Sequence, residues 1–268
     1  MVRSTLLATT TALLLALAPA LPVAGATDAA AAGAGIGWRA VPGGMFRSAV
    51  RFEDDRQMLP VAPFQLMERP VSNAQFAAFL ARQPQWRRDR IPALFSSPGY
   101  LGHWESADAP GARLEADAPV VHVNWYAADA FCRDAGGRLP DFIEWEYAAA
   151  ADATRADARH DRQWRLRQAN DGTPHAPDAV PDAPANVHGL RGMHGAYWEW
   201  TGDATSLLGD GDRRGQDDGN ALQYCGASAM AFNDPADYGA VKRFVLLSAL
   251  TPAATLGNLG FRCARSQP

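Results

Sequence analysis

Lysine is almost absent from this chain: Lys242 is the only one in 268 residues, and the remaining basic side chains of that class are arginines. A bias of that kind follows coding composition and assigns no function. The formal net charge is −4 and no stretch of the chain is densely basic, so nothing is built to follow a phosphate backbone and nucleic acid is not an expected partner. Long apolar runs are confined to the first residues, where Leu6 to Leu21 is rich in Leu and Ala. That run is shorter than the roughly 20 residues a membrane-spanning helix needs, and nothing later approaches it. Histidine is sparse too, with six in the chain: His103, His122 and His194 are scattered, none at i, i+4 spacing, so a zinc site would rest on tertiary geometry. Cysteine is limited to Cys132, Cys225 and Cys263. In an exported chain three cysteines allow one disulfide and leave one thiol, with three pairings open.

The N-terminus itself is informative. Met1 to Arg3 supplies a positive charge, the Leu/Ala run follows, and Ala24-Gly25-Ala26 offers a small-residue cleavage site. This order is that of a secretory signal peptide, so residues 1–26 are expected to be removed and the protein to be periplasmic or secreted. Cleavage takes away only Arg3 and moves the charge from −4 to −5. Residues 27–36 hold few side chains able to build a core and are expected to form a flexible leader. Residues 37–268 are long enough for one sizeable core as a single domain, and no internal repeat is present.

Regular elements are legible at a few points. Pro42-Gly43-Gly44-Met45-Phe46 predicts a turn into a strand. Ser72-Asn73-Ala74-Gln75 is a capping box that opens a helix through Phe76, Phe79 and Leu80, and Asp141 with Glu144 opens a second that carries Trp145 and Ala149. From Trp125 to Cys132 the spacing predicts an amphipathic helix, whereas Cys263 ends the extended segment Gly260-Phe261-Arg262-Cys263. A bridge between those two cysteines would close a long loop and contribute roughly 4–5 kcal/mol in the chain-entropy model. Asp152 to Asn186, and again Leu207 to Gly219, predict surface loops. Few helices, short strands and long connections describe an α+β domain.

Five blocks in order give the chain a resemblance to the formylglycine-generating enzyme, or sulfatase-modifying factor, family. They are Pro42 to Phe46 with Val71 to Phe76; Pro119-Val-Val-His-Val-Asn-Trp125 on to Cys132; Gly137-Arg-Leu-Pro140 through Glu144-Trp-Glu-Tyr-Ala148; Gly189-Leu190 and Met193-His-Gly195 to Trp198-Glu-Trp200; and Asn258 to Cys263. The resemblance implies an irregular fold related to C-type lectin domains, low in regular structure, with Cys132 bonded to Cys263. It also implies dioxygen chemistry at a copper ion held by two thiolates, a soft pair suited to Cu(I). Here the sequence departs from the family. The Gly-Gly-Ser motif becomes Gly226-Ala227-Ser228, no cysteine lies between Ser228 and Phe261, and the copper positions fall near Asp234 and Gly239. Copper in the standard site is therefore not expected.

Calcium is the other group the resemblance implies, held by Glu199 with main-chain oxygens at Gly195 and Tyr197; the usual Asp or Asn is Gly192, and a second site would begin at Asn170. Cys225, the odd thiol, is the candidate catalytic residue. Trp104, Trp125, Trp198 and Trp200 are candidates to line a groove, and Arg243 and Arg262 to hold an anionic substrate or bond backbone carbonyls. The blocks Tyr224 to Ser228, Asp237 to Phe244 and Ser248 to Leu250 look like those of exported relatives described as nitrite-reductase accessory proteins. The expected function is a periplasmic accessory or maturation factor that assists a periplasmic metalloenzyme of the nitrite-reductase type or a secreted peptide, without standard copper-dependent formylglycine formation. A lectin-like binding module without turnover, or an oxidase with an unorthodox site, is the alternative.

Overall fold

A computed structural model describes residues 35–50, 58–172, 184–204 and 232–267. The expected signal and most of the expected leader, Cys225 with Gly226 to Ser228, and the expected loop Leu207 to Gly219 lie outside the described residues.

Strand β1 (Trp38–Val41) pairs antiparallel with β4 (Phe64–Met67), and β4 pairs antiparallel with the C-terminal β7 (Ala264–Ser266). Hence the first and last strands flank one three-stranded sheet. Val41 and Phe64 face each other in register, as do Leu66 and Ala264, and all four are buried. Strands β2 (Gly44–Phe46) and β3 (Leu59–Val61) form a hairpin, and β5 (Trp198–Glu199) pairs parallel with β6 (Leu259–Gly260). The Gly43 turn and the β2 strand match the sequence expectation: a Cβ at Gly43 would stand 2.5 Å from the Val61 carbonyl.

Helix α1 (Asn73–Arg82) begins at the Ser72 box, with Ser72 Oγ accepting from Gln75 N at 3.2 Å and Gln75 Oε1 accepting from Ser72 N at 3.0 Å. Helix α2 (Trp125–Asp134) is capped by Asn124, whose Oδ1 accepts from Ala127 N. Helix α3 (Phe142–Ala149) starts at Asp141, and Glu144 Oε2 accepts the Asp141 amide at 2.9 Å. Around α1 and α2 the main core gathers Phe76, Phe79, Phe131 and Phe261, with Phe131 edge-on to Phe261 at 5.3 Å. A smaller core packs β1 and β4 against Trp145 of α3. A disulfide joins Cys132 of α2 to Cys263, 131 residues on, beside β7.

One helix corrects the loop reading and another was not read from the sequence. Helix α4 (Arg162–Gln168) lies inside the stretch expected to be surface loop, and α5 (Tyr238–Ala249) begins four residues after Asp234 and contains Gly239. Both are set by their caps: Asp161 accepts from Gln163 N and Trp164 N, and Asp237 accepts from Ala240 N. In α4 only Trp164 and Gln168 are buried, too thin an apolar stripe to be visible as periodicity.

Candidate functional site

The start of α5 lies against the end of α4, so closely that a Cβ at Gly239 would stand 3.2 Å from Gln168 Cβ. A turn at Asn170-Asp171-Gly172 follows α4, and α5 holds it through the only lysine: Lys242 Nζ donates to Ala169 O at 3.0 Å and Asp171 O at 2.7 Å. The ammonium also lies 5.5 Å from the Trp198 ring centroid and 5.4 Å from that of Tyr238, within cation–π range. Gly172 adopts φ +69, and a Cβ there would fall 2.0 Å from the Trp198 ring, so glycine is what lets the indole lie on the turn. The result is an open groove of about 440 Å³ lined by Trp198, Tyr238, Val241, Lys242, Val245 and Leu246.

Beneath this groove a charged cluster fixes the helix start. Asp171 Oδ2 meets His194 Nδ1 at 2.6 Å, Asp171 Oδ1 accepts from Gly195 N at 3.0 Å, and His194 Nε2 meets Ala149 O at 2.8 Å. A carboxylate on one ring nitrogen and a carbonyl on the other leave both to donate, which is the imidazolium form. Burial opposes that charge, but the Asp171 carboxylate outweighs it and His194 is raised above the ordinary imidazole value. Deeper, Glu146 accepts from Ser48 Oγ at 2.5 Å and from Ala49 N at 2.6 Å. The same segment accepts two bonds from Asn233, to Ser48 O at 3.3 Å and Val50 O at 3.4 Å, which ties residues 48–50 to the approach to α5. Burial pushes Glu146 up to about 7, only partly offset by its bonds to Ala49 and Ser48 and by the Arg159 charge.

The signs give a pH prediction. The folded state keeps a proton on Glu146 that the unfolded chain releases, so its contribution is full below the ordinary carboxylate value and is lost as pH rises to about 7. His194 has the same sign, its contribution being full below the ordinary imidazole value and lost as pH rises through the raised one. His103, His122 and His188, lowered by burial, act with the opposite sign below the ordinary imidazole value, so the test is the difference between wild type and Glu146→Gln. The urea midpoint of the wild type relative to Glu146→Gln is expected to fall as pH rises from about 5 to about 7, and a difference that stays constant over that range would contradict the protonated Glu146.

The residues singled out in sequence take definite places. Asp234, near one copper position, is 3.8 Å from Arg165, and Gly239, near the other, sits in α5 with no side chain to offer. A carboxylate facing a guanidinium and a glycine do not form a two-thiolate Cu(I) site, so the donor set does not fit copper there. Glu199 is 1 % exposed, and Arg262 Nε lies 3.0 and 2.9 Å from its two oxygens while Trp145 Nε1 donates to Oε2 at 2.8 Å. Arg262 Nη2 donates further to Arg191 O and Gly192 O. A guanidinium thus stands where an ion would have to share these oxygens, and Glu199 does not fit a calcium ligand in this arrangement. Gly195 O accepts from Gly172 N at 2.7 Å, Asn170 is exposed at the end of α4, and Tyr197 is half-buried.

Trp104 and Arg243 are corrections to the substrate-binding expectation. Trp104 is 3 % exposed and packs edge-on to Phe76 at 6.2 Å in the main core. Arg243 is 1 % exposed, lies 3.5 Å over the Trp145 ring and donates to the Glu199 carbonyl. Both are held by the interior, Arg243 through the backbone-carbonyl alternative. Of the four tryptophans, Trp198 lines the groove and Trp200 is fully buried. Lys242 and Tyr238 were not singled out as groove residues; the signal available was the uniqueness of the lysine within an aromatic and aliphatic helix.

The sequence profile described as "Sulfatase-modifying factor enzyme 1-like domain" matches residues 37–267. The chain belongs to this family. It is 30% identical to the formylglycine-generating enzyme of Streptomyces coelicolor, over 84% of this chain and 87% of that one. A mouse protein named inactive C-alpha-formylglycine-generating enzyme 2 is 28% identical, with 84% of each chain covered. Among solved structures, CarF superposes with a TM-score of 0.51 at 17% identity, over 87% of this chain and 99% of that one, a likeness of fold. As a sulfatase-modifying-factor relative the chain has a mixed α+β scaffold with few regular elements.

Proposed function

We propose that this protein acts outside the cytoplasm as an accessory maturation factor, holding a protein or peptide client without standard copper-dependent formylglycine formation. The observation that supports the reading is the pair of positions before and within the start of α5 at which the resemblance implies two thiolates: Asp234 faces Arg165 and Gly239 is enclosed by Gln168 and Asp171. A relative named inactive among those matching most of the chain supports it. The groove between Trp198 and α5 offers apolar walls and one ammonium to an extended segment of the client. The client we favour is a periplasmic metalloenzyme of the nitrite-reductase type; a secreted peptide fits the same groove.

The test is elemental analysis of the protein purified from the periplasm, with thiol counting and oxidation of a cysteine-containing sulfatase peptide, for wild type and Cys225→Ser. The expected result is no copper that depends on Cys225 and no aldehyde product, with client capture reduced by Tyr238→Ala, a residue 53 % exposed whose loss leaves the core intact. Copper near one equivalent that vanishes in Cys225→Ser, together with peptide oxidation, would establish an oxidase with an unorthodox site instead.

A further inference from the structure

His103 and His122, 19 positions apart in sequence, are brought face to face with ring centroids 4.8 Å apart and planes inclined at 40°. Their backbones are fixed from several sides. Leu101 N donates to His122 O at 3.0 Å, His122 N donates to Leu256 O at 3.0 Å, and Trp104 N donates to Leu101 O at 3.0 Å. Arg88 adds bonds to Leu101 O and Trp104 O at 2.6 and 3.2 Å, which hold the turn that carries His103. Both Leu101 and His122 have positive φ, 46° and 55°. That backbone is costly for residues other than glycine, by about 1–3 kcal/mol each, and is kept where the surrounding structure needs the side chains aimed.

The nitrogens of His122 are left without protein partners in an unusual way. Nδ1 is buried and has no hydrogen-bond partner among the described residues. Nε2 faces Gly257, where a Cβ would stand only 3.2 Å away, so the absence of a side chain keeps that nitrogen accessible.

We propose that His103 and His122 form an open two-histidine site for a borderline divalent transition metal, of which zinc is the representative. Such ions favour imidazole, whereas calcium and magnesium favour oxygen. An ion at about 2.0–2.1 Å from one nitrogen of each ring, at a near-tetrahedral angle, sets the centroids about 5 Å apart, close to the 4.8 Å found. No third His, Cys, Asp or Glu completes a cluster among the described residues. Two coordination positions are therefore left to water or to a group brought by a bound partner, an arrangement suited to holding an ion exchangeably. The site is independent of the groove on α5 and of the reading given for it.

Calorimetric titration of the full mature chain with Zn2+, in the Cys225→Ser background so that no thiol competes, tests this directly. One equivalent is expected to bind and to shift the His103 and His122 ring resonances, while Ca2+ and Mg2+ do neither. His103→Ala, at an exposed residue, should abolish that equivalent with the melting temperature unchanged. Gly257→Ala, which keeps both ligands but crowds Nε2, should weaken it by about tenfold or more. Zinc binding unchanged in His103→Ala, or no equivalent bound at all, overturns the proposal.

Discussion

Glu199→Ala is expected to destabilise the protein by about 3–5 kcal/mol, the largest effect of any single substitution considered. The side chains of Arg262 and Glu199 are 0% and 2% exposed, so removal of the carboxylate strands a guanidinium in the interior. A buried charge without its partner costs far more than a surface pair contributes. Trp145 Nε1 loses its acceptor in the same step, and Arg243, stacked on that indole, remains as a second buried cation nearby. Against a total stability of about 5–15 kcal/mol for a domain of this kind, the variant is expected to accumulate poorly and to melt well below the wild type.

Two controls separate this account from others. Glu199→Leu combined with Arg262→Met removes both charges and is expected to recover the part of the loss due to the stranded guanidinium, but not the bonds of Trp145 Nε1 or of the Met67, Glu68, Arg191 and Gly192 carbonyls to the lost pair. Chelation with EDTA is expected to leave the melting temperature unchanged, since Arg262 rather than an ion satisfies the carboxylate. A drop on chelation comparable to that of Glu199→Ala would mean that Glu199 serves a cation, and urea titration of the single variant with a loss below about 1 kcal/mol would mean the pair is solvated.

What the sequence made legible was local. The caps at Ser72 and Asp141 announce α1 and α3 because a hydroxyl or carboxylate, three residues before a Gln or Glu, is a short-range pattern. The turn into a strand at Pro42 to Phe46 is legible because Pro-Gly-Gly is likewise a local signal, whereas its pairing with Leu59–Val61 is not. The family blocks made the fold class legible although regular elements are few. The partners that give Glu199 its role lie 54 and 63 residues away, at Trp145 and Arg262, and no periodicity links them. Arg243 and Trp104 read as groove residues because a cation and an indole near motif blocks suit ligands, whereas tertiary packing turned both inward. The His103–His122 pair needed two left-handed turns and the Leu256 backbone to meet, none of which carries a sequence signal in residues other than glycine.

Replacement of Cys132 and Cys263 together by alanine, with Cys225→Ser to prevent thiol exchange, is expected to cost about 4–5 kcal/mol. The disulfide spans 131 residues of sequence, and a loop of that length restricts the unfolded chain strongly. The effect is not confined to the unfolded state. Cys263 O accepts from Met67 N at 2.9 Å, Arg262 immediately before it carries the bond to Glu199, and Ala264 immediately after it opens β7 against β4. The bridge therefore holds in register the short segment on which both the buried ion pair and the closing strand depend. A double-mutant cycle between the cysteine pair and Glu199→Ala should then show coupling rather than additivity: once the segment is loosened, Arg262 reaches water and the carboxylate matters less. Strict additivity by urea denaturation would instead mean that β7 and its neighbours hold the terminus without the disulfide, and that its contribution lies wholly in the unfolded chain.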